Sequence, residues 1–448
     1  MKFGLLHFRV FKTDGVSLEM DKWAYALKNL GHEVIYISGE NISRKDHIYI
    51  EELFYNAEYN KKIHDNAFKK LIDFESEKAL LKYIYNKAEA IEKKLTSIII
   101  NNKIDVLIPN NVSSLGFNLP VGIAIGNINK KNICKFIYHH HDFYFERERY
   151  SSPIFVSISK ILETYFPYNG DAIHCTINEI AKNEIKKRKG INAIVVPNVF
   201  DFNQNQWIKD EYNKDLRAKL DITDEDIVFL QATRIVRRKG IELGYYILEE
   251  FLNILKTKNG TELYNGRKIS SNTKIHFVLA GLNEYEYNFH NLDALLNRSD
   301  IVIHYINNII DHNRKNINNV KIYSLWDAYT ISDFITYTSI IEGWGNQLLE
   351  GLFAKKPMLV YEYPVFKSDI KKYGFDLITF DDKLIYDENT KLLKLNNDAK
   401  IIAAEKIFEI LSNKNMYYKV VNKNFDIAKK YLSYESLTII ISELVNKS

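Results

Sequence analysis

The fold is decided by residues 340–357, which read Ile340-Ile-Glu-Gly-Trp-Gly-Asn-Gln-Leu-Leu-Glu-Gly-Leu-Phe-Ala-Lys-Lys-Pro357. The preceding residues, 333–338, predict a strand, and the residues after the glycines predict a helix. Gly343 and Gly345 permit a close approach of the backbone to a ligand. A helix that begins behind such a loop offers free N–H groups and a positive dipole end, which suits a diphosphate.

Two carboxylates accompany this loop. Glu342 lies in the loop itself, and Glu350 lies further along the predicted helix. At this spacing they are suited to accept hydrogen bonds from the hydroxyls of an extended ligand. The alternative is a surface acid beside an ordinary strand–loop–helix turn.

A second segment, 229–242, places cations after another predicted strand. It contains Arg234, Arg237, Arg238 and Lys239. Cations at the carboxyl end of a sheet strand are suited to clamp phosphate, with bidentate contacts from Arg and a point charge from Lys. We interpret Arg237 and Arg238 as solvated loop residues and retain Arg234 and Lys239 as candidates.

Along the rest of the chain, short β-branched runs alternate with longer amphipathic stretches, which is typical of parallel sheets covered by helices on both faces. We expect a first domain over residues 1–200, a second over 201–430, and a terminal helix over 431–448 that returns to the first. Residues 41–96 are polar and predict a helical insertion, either a surface excursion or a lid. The predicted strands are 3–8, 34–38, 105–109, 135–139, 172–177, 193–197, 227–232, 276–280, 301–305, 334–338 and 358–361.

Composition excludes several classes of protein. Of the 448 residues, 46% are hydrophobic and 26% charged, which is the balance of a globular protein rather than a disordered or coiled-coil one. A net charge of +4 gives no reason to expect nucleic acid as a partner. Cys134 and Cys175 cannot form a disulfide framework. Because the sequence shows neither a signal-peptide pattern nor a long apolar run, we expect a cytoplasmic protein without a transmembrane segment.

The two segments together resemble the retaining GT-B glycosyltransferases of glycosyltransferase family 4. The pattern Arg234-x4-Lys239-Gly240 after a strand, followed later by Glu342-Gly-x-Gly-x4-Glu350, carries the resemblance. It implies a GT-B fold, with a first Rossmann-like domain for the acceptor and a second for the nucleotide-sugar donor. Shorter matches in the family's order are Asp14-Gly15-Val16, Leu30-Gly31-His32-Glu33-Val34, Val196-Pro197-Asn198-Val199-Phe200-Asp201 and Tyr431-Leu432-Ser433-Tyr434-Glu435.

The resemblance implies a role for each matching residue. Arg234 and Lys239 would bind the donor diphosphate and stabilise the charge that develops on it, so that no metal cofactor is required and Mg²⁺ is at most stimulatory. Glu342 would hold hydroxyls of the donor sugar, and Glu350 the nucleotide ribose. The other implied donor contacts are Gly15, Gly343, Trp344, Gly345 and Asn346.

The predicted strand 135–139 ends in His139-His140-His141-Asp142. Successive strand residues alternate faces, so the three histidines cannot all face one ligand, and their spacing does not fit a metal site. The family places a histidine in this loop near the donor sugar; His141 is our choice and His139 the alternative. Asp142 and Asp14 are the predicted acceptor contacts.

We therefore predict a retaining hexosyltransferase that moves mannose or glucose from a nucleotide sugar to a hydroxyl of a small polar or glycan acceptor. The opening residues 6–20 resemble the branch that makes mannosylglucosylglycerate-type solutes from GDP-mannose. The alternatives are a UDP-glucose-dependent transferase acting on a cell-surface glycan or lipid, a GT-B-fold nucleotide-sugar 2-epimerase, and an inactive binding subunit. The basic run Lys186-Lys-Arg-Lys189 complements a helix dipole and leaves a peripheral contact with an anionic membrane open.

Overall fold

The computed structural model describes residues 1–12, 14–284 and 289–447, and in it the chain divides into two compact units. Unit 1 comprises Met1–Val199 and Tyr434–Ser448, and unit 2 comprises Phe200–Ser433. Each unit contains one large parallel sheet with helices packed against it. The predicted doubly wound α/β architecture is confirmed.

The sheet of unit 1 has the strand order β3-β2-β1-β4-β5-β6-β7, and all of its neighbours are parallel. Because β1, β4 and β5 are neighbours, the loops that follow them emerge side by side at one edge of the sheet. The strands are β1 (Lys2–Leu6), β2 (Glu33–Ser38), β3 (His47–Tyr49), β4 (Val106–Pro109), β5 (Lys135–His140), β6 (Ile173–Thr176) and β7 (Ala193–Val195).

Helices cover both faces of this sheet. Trp23 and Leu27 of the first helix are buried against Phe3 and Leu5 of β1, while the third and fourth helices cover the other face. The helices are α1 (Gly15–Asn29), α2 (Glu58–Phe68), α3 (Glu77–Asn101), α4 (Leu119–Lys130), α5 (Glu148–Ser151), α6 (Val156–Tyr165) and α7 (Glu179–Lys189).

The predicted helical insertion over 41–96 differs from the structure in two respects. It contains the short edge strand β3, which pairs with β2, and its last helix, α3, continues to Asn101. Ile91, Leu95 and Ile99 repeat at every fourth residue of α3 and are buried in the core. The second half of α3 is therefore part of the sheet's helical cover.

The large sheet of unit 2 has the order β10-β9-β8-β14-β15-β16, again parallel throughout. Two small sheets, β11-β13-β12 and β17-β18, were not predicted. The strands are β8 (Ile227–Gln231), β9 (Ile275–Leu279), β10 (Val302–Tyr305), β11 (Ile310–Asp311), β12 (Lys315–Ile317), β13 (Val320–Ser324), β14 (Phe334–Tyr337), β15 (Met358–Tyr361), β16 (Ile378–Phe380), β17 (Ile385–Asp387) and β18 (Leu392–Lys394).

The remaining helices cover this second sheet, except for the last one. In unit 1, α15 buries Leu437, Ile441 and Leu444 in the same cluster as Trp23 of α1. No helix within the described residues is both long enough and apolar enough to cross a membrane. The helices are α8 (Leu216–Lys219), α9 (Ile241–Lys256), α10 (Phe289–Leu296), α11 (Leu325–Ile331), α12 (Asn346–Phe353), α13 (Asn397–Leu411), α14 (Lys414–Tyr431) and α15 (Tyr434–Lys447).

Candidate active site

Two loops of unit 2 lie against each other where β8 and β14 end. These strands are parallel neighbours, so the residues after them emerge at the same edge of the sheet. Gln231 Nε2 donates to the Lys239 carbonyl at 3.0 Å, and Thr338 Oγ1 donates to the Gly240 carbonyl at 2.7 Å. Gly240 has a φ of +54°, and a Cβ there would lie 2.4 Å from the Thr338 carbonyl oxygen, so the contact requires glycine.

The contact between the loops brings Lys239 and Glu342 into a buried ion pair. Lys239 Nζ donates to Glu342 Oε1, and each of the two side chains is 10% exposed. Burial lowers the pKa of Lys239, and the charge of Glu342 opposes that shift. An ammonium group has three N–H donors, and the bond to Glu342 uses one of them.

The neighbouring arginines have separate environments. Arg238 Nη1 lies 3.3 Å from Glu342 Oε2, which corrects the interpretation of Arg238 as a solvated loop residue. The Arg237 guanidinium lies over the Tyr386 ring, 4.3 Å from its centroid. Glu342 thus accepts from two cations of one loop.

Arg234 lies outside this pair. Its Nη1 donates to both carboxylate oxygens of Glu284, at 2.6 and 2.8 Å, and its side chain is 48% exposed. The charge of Arg234 is nevertheless one of the causes that lower the pKa of Lys239, after burial and Arg238. The charges of Arg234 and Lys239, the two predicted phosphate ligands, therefore influence each other.

The glycine loop before α12 is held by two buried tyrosines. Tyr363 Oη donates to the Trp344 carbonyl at 2.5 Å. Gly345 has a φ of +129°, and a Cβ there would lie 2.5 Å from Tyr337 Oη and 2.6 Å from Tyr363 Oη. The Trp344 ring is 2% exposed, so it packs inside the unit, and the structure gives no support for a direct contact of this ring with a donor. Gly343 precedes this turn, and Asn346 is the first residue of α12.

Glu350 lies one turn further along α12. Its Oε2 accepts a hydrogen bond of 2.7 Å from Tyr329 of α11. Burial and the Glu350 charge raise the pKa of Tyr329 well above its ordinary value, so its hydroxyl remains a donor. The carboxylate predicted to bind ribose therefore has a fixed orientation.

In unit 1, the loop after β1 ends in a well-formed helix start. Asp14 is the N-cap of α1, and its carboxylate accepts from Ser17 N at 3.3 Å and from Ser17 Oγ at 2.8 Å. Arg9 Nε lies 3.1 Å from Asp14 Oδ2. Burial raises the pKa of Asp14, but Ser17 and Arg9 outweigh it and hold the pKa below its usual value. A Cβ on Gly15 would meet no atom within 4 Å, so this backbone is open to a ligand.

The three histidines alternate between the faces of β5, as predicted. His139 and His141 lie on one side, with ring centroids 4.4 Å apart. His140 lies on the other, where its Nε2 is 3.1 Å from Nδ1 of His174. Burial lowers the pKa of His141 to about 3, with His7 adding to the shift. His141 is therefore a neutral imidazole at physiological pH.

Asp142 is held by neighbours other than His141. Arg147 Nε donates to Asp142 Oδ1 at 3.0 Å, and Asn111 Nδ2 donates to Asp142 Oδ2 at 3.3 Å. Asn111 Oδ1 in turn accepts from the backbone N–H groups of His141 and Asp142. These contacts engage both carboxylate oxygens of Asp142 and give no support to a role for Asp142 in making His141 more basic.

Several residues of these sites escaped the sequence analysis. Glu284, Tyr337 and Tyr363 belong to no motif. Their only signal in the sequence is their position, since Tyr337 is the last residue of β14, and Glu284 and Tyr363 follow β9 and β15. Asn111 follows β4 and has a φ of +57°. Asn adopts positive φ more readily than most residues, so an Asn just after a predicted strand indicates a tight turn there. No group of three metal-binding side chains occurs among the described residues.

Two relatives match the chain over nearly its full length. It is 39% identical over 432 residues to the mannosylglucosylglycerate synthase of Petrotoga mobilis, covering 96% of this chain and 97% of that protein. It is 35% identical over 446 residues to the protein of the same name from Thermotoga maritima, covering 99% and 100%. No family model matches the chain.

Among solved structures, a glycosyltransferase from Rickettsia africae covers 100% of both chains with a TM-score of 0.60 at 17% identity, which shows the fold. The resemblance to the GT-B glycosyltransferases is thereby confirmed, and the protein is a hexosyltransferase that uses a nucleotide sugar. With relatives this similar over the whole length, the chain belongs to the mannosylglucosylglycerate synthase family.

Proposed function

We propose that the protein transfers mannose from GDP-mannose to a hydroxyl of glucosylglycerate, with retention of the anomeric configuration. The single observation that supports this most is the buried Lys239–Glu342 pair at the end of β8 and β14, in a chain 39% identical to a synthase whose named product contains mannosyl, glucosyl and glycerate groups. The pair sets a cation and a carboxylate side by side, which matches a diphosphate joined to a hydroxyl-rich sugar.

The proposed donor contacts take the roles that the family resemblance implies, and the charges of these residues support them. Lys239 and Arg234 bind the diphosphate, and Glu342 accepts hydrogen bonds from sugar hydroxyls. Glu350, fixed by Tyr329, accepts from the ribose hydroxyls. The backbone N–H groups at the start of α12 are the proposed donors to phosphate oxygens within unit 2.

The proposed reaction balances without an enzymic nucleophile. The bond between the sugar C1 and the diphosphate oxygen breaks, and a bond forms between C1 and the acceptor oxygen on the same face. The acceptor proton passes to the departing diphosphate oxygen. Lys239 and Arg234 stabilise the negative charge that grows on that oxygen in the transition state.

In unit 1, the loops after β1 and β5 are the proposed acceptor region. Asp14 lies in the first loop and Asp142 in the second, each beside an arginine. His141, neutral and largely enclosed, is suited to bind a sugar hydroxyl rather than to remove a proton.

A thermal-shift screen followed by turnover tests this proposal. GDP-mannose and GDP should raise the melting temperature, whereas UDP-glucose should not, because only bound ligands stabilise the folded state. Glucosylglycerate with GDP-mannose should then give a mannosylated product. A shift with UDP-glucose and turnover on a glycan or lipid would favour the alternative transferase, and an epimerised nucleotide sugar formed without acceptor would indicate an epimerase.

A further inference from the structure

Three arginines surround a set of packed aromatic rings in unit 1, at the edge of the sheet where β1, β4 and β5 end. Arg9 lies in the loop after β1, and Arg147 and Arg149 follow β5. Neighbouring ring centroids in the set are 5.3 to 6.1 Å apart. This aromatic floor consists of Phe8, Tyr55, Phe117 and Tyr150.

The three arginines differ in their partners. Arg9 and Arg147 each use Nε to contact a carboxylate, at 3.1 and 3.0 Å. Arg149 instead donates from Nε to Nε2 of His64 at 2.9 Å. Burial lowers the pKa of His64 and the Arg149 charge lowers it further, while Asp65, 3.5 Å from His64 Nδ1, opposes the shift. Arg149 is therefore the arginine of this set whose contact carries no negative charge.

The two terminal NH₂ groups of Arg149 are suited to bind an anion. Its guanidinium lies 5.5 Å from the centroid of the Tyr150 ring. Within the described residues its side chain donates through Nε alone, which leaves both terminal NH₂ groups for a ligand. Two parallel N–H donors of this kind match the two oxygens of a carboxylate.

A buried hydroxyl provides a second, independent observation. Tyr150 is 2% exposed, and its Oη has no hydrogen-bond partner among the described residues. Burial raises the pKa of Tyr150 to about 12, with Asp142 and Tyr55 adding to the shift and Arg149 and Arg147 opposing it, so the hydroxyl is a protonated donor. Buried polar groups without a partner are uncommon and each requires an explanation. A ligand oxygen supplies one here.

We infer that this cluster binds the carboxylate of the acceptor, through both NH₂ groups of Arg149 and the hydroxyl of Tyr150. The inference rests on the proposed function, because glucosylglycerate carries such a carboxylate and a neutral glucoside does not. The half-buried rings of Tyr55 and Phe117 form the apolar surface that ligand sites commonly provide for a sugar ring. Tyr55 and His64 both come from the stretch 41–96, which thereby gains a function in acceptor recognition.

Steady-state kinetics with two acceptors tests the inference. The acceptors are glucosylglycerate and glucosylglycerol, in which a CH₂OH group replaces the carboxylate. Arg149→Gln should raise the KM for glucosylglycerate roughly ten- to a hundredfold, as loss of charged hydrogen bonds does, with kcat changed little. Activity with glucosylglycerol and the Kd of GDP should stay at wild-type values. Tyr150→Phe should raise the same KM by a smaller factor and leave the melting temperature unchanged or higher.

Arg188→Gln is the matched control, because Arg188 also lies over an aromatic ring of unit 1, at 4.4 Å from the Phe145 centroid, and pairs with Glu184. It should leave both acceptors unaffected. Arg149→Lys keeps the positive charge but lacks the two parallel NH₂ donors, so its KM for glucosylglycerate should lie between those of wild type and Arg149→Gln. If Arg149→Gln is folded and its KM for glucosylglycerate is within twofold of wild type, or if both acceptors suffer equally, the inference is wrong while the proposed function stands. A wild-type enzyme that turns over glucosylglycerol but not glucosylglycerate refutes both.

Discussion

Replacing Lys239 by methionine should separate its contribution to catalysis from its contribution to folding. Methionine keeps the length and apolar stem of the side chain and removes only the ammonium group. If Lys239 stabilises charge on the departing diphosphate, turnover should fall about 10²- to 10³-fold, the range observed when one such donor is removed. Donor binding should weaken much less, because the charge is larger in the transition state than in the bound donor.

The structure also sets the effect on stability. Removing one partner of a buried ion pair costs about 3–5 kcal/mol when the other charge is left isolated. Here Arg238 remains 3.3 Å from Glu342, so a smaller loss of about 1–3 kcal/mol is expected. At about 2–4 °C per kcal/mol for a unit of this size, the melting temperature should fall by roughly 2–12 °C.

Two further variants make the experiment decisive. Lys256→Met is the control, because Lys256 forms an exposed ion pair with Asp300 in the same unit and should change neither quantity appreciably. The double variant Lys239→Met/Glu342→Gln removes the isolated carboxylate and should regain melting temperature while turnover stays low. A folded Lys239→Met enzyme with turnover within threefold of wild type would refute the proposed role.

The other predictions concern the nucleotide, pH, metal ions and stereochemistry. Glu350→Gln should weaken GDP and GDP-mannose binding by nearly equal factors in calorimetry, because the ribose is common to both; normal GDP affinity would give Glu350 a structural role. Burial lowers the pKa of Lys239, so kcat/KM should be constant below that pKa and should decline as the pH rises through it. The decline should occur below the ordinary lysine pKa of about 10.4, and Lys239→Arg should move it to higher pH. Excess EDTA should leave turnover measurable; complete loss restored by a divalent ion would point to metal ligands, with Asp14 and Asp142 tested first. NMR of the fresh product should show an α linkage from the α-linked donor, and a β linkage would refute retention and require a general base at the acceptor.

The fold was predictable because its central strands are short, mostly apolar runs that are buried in the sheet. The prediction for β15 matches the structure, and those for β8 and β14 differ by a single residue at the carboxyl end. The short strand β3 and the exposed strand β12 were not detected, because neither has a buried face that would impose an apolar pattern.

The site was predictable only as far as it depends on local sequence. The Arg234–Lys239 and Glu342–Glu350 patterns each occupy one strand–loop–helix connection, so they are visible in the chain. The contact of Arg238 with Glu342 joins residues 104 positions apart. A local sequence pattern gives no information on a contact between residues so far apart in the chain, and Arg238 by itself is typical of a solvated loop.

Burial of His141 bears directly on the proposed stereochemistry. An inverting mechanism needs a general base whose pKa is close to the working pH. Burial lowers the pKa of His141 to about 3, and the charge of Asp14 opposes this shift without overcoming it. The adjacent carboxylate of Asp142 is engaged by Arg147 and Asn111. His141 is thus unprotonated at neutral pH but too weak a base to remove the acceptor proton efficiently. In the proposed reaction the departing diphosphate oxygen accepts this proton instead. That oxygen lies on the face of the sugar from which the diphosphate leaves, so the new bond forms on the same face.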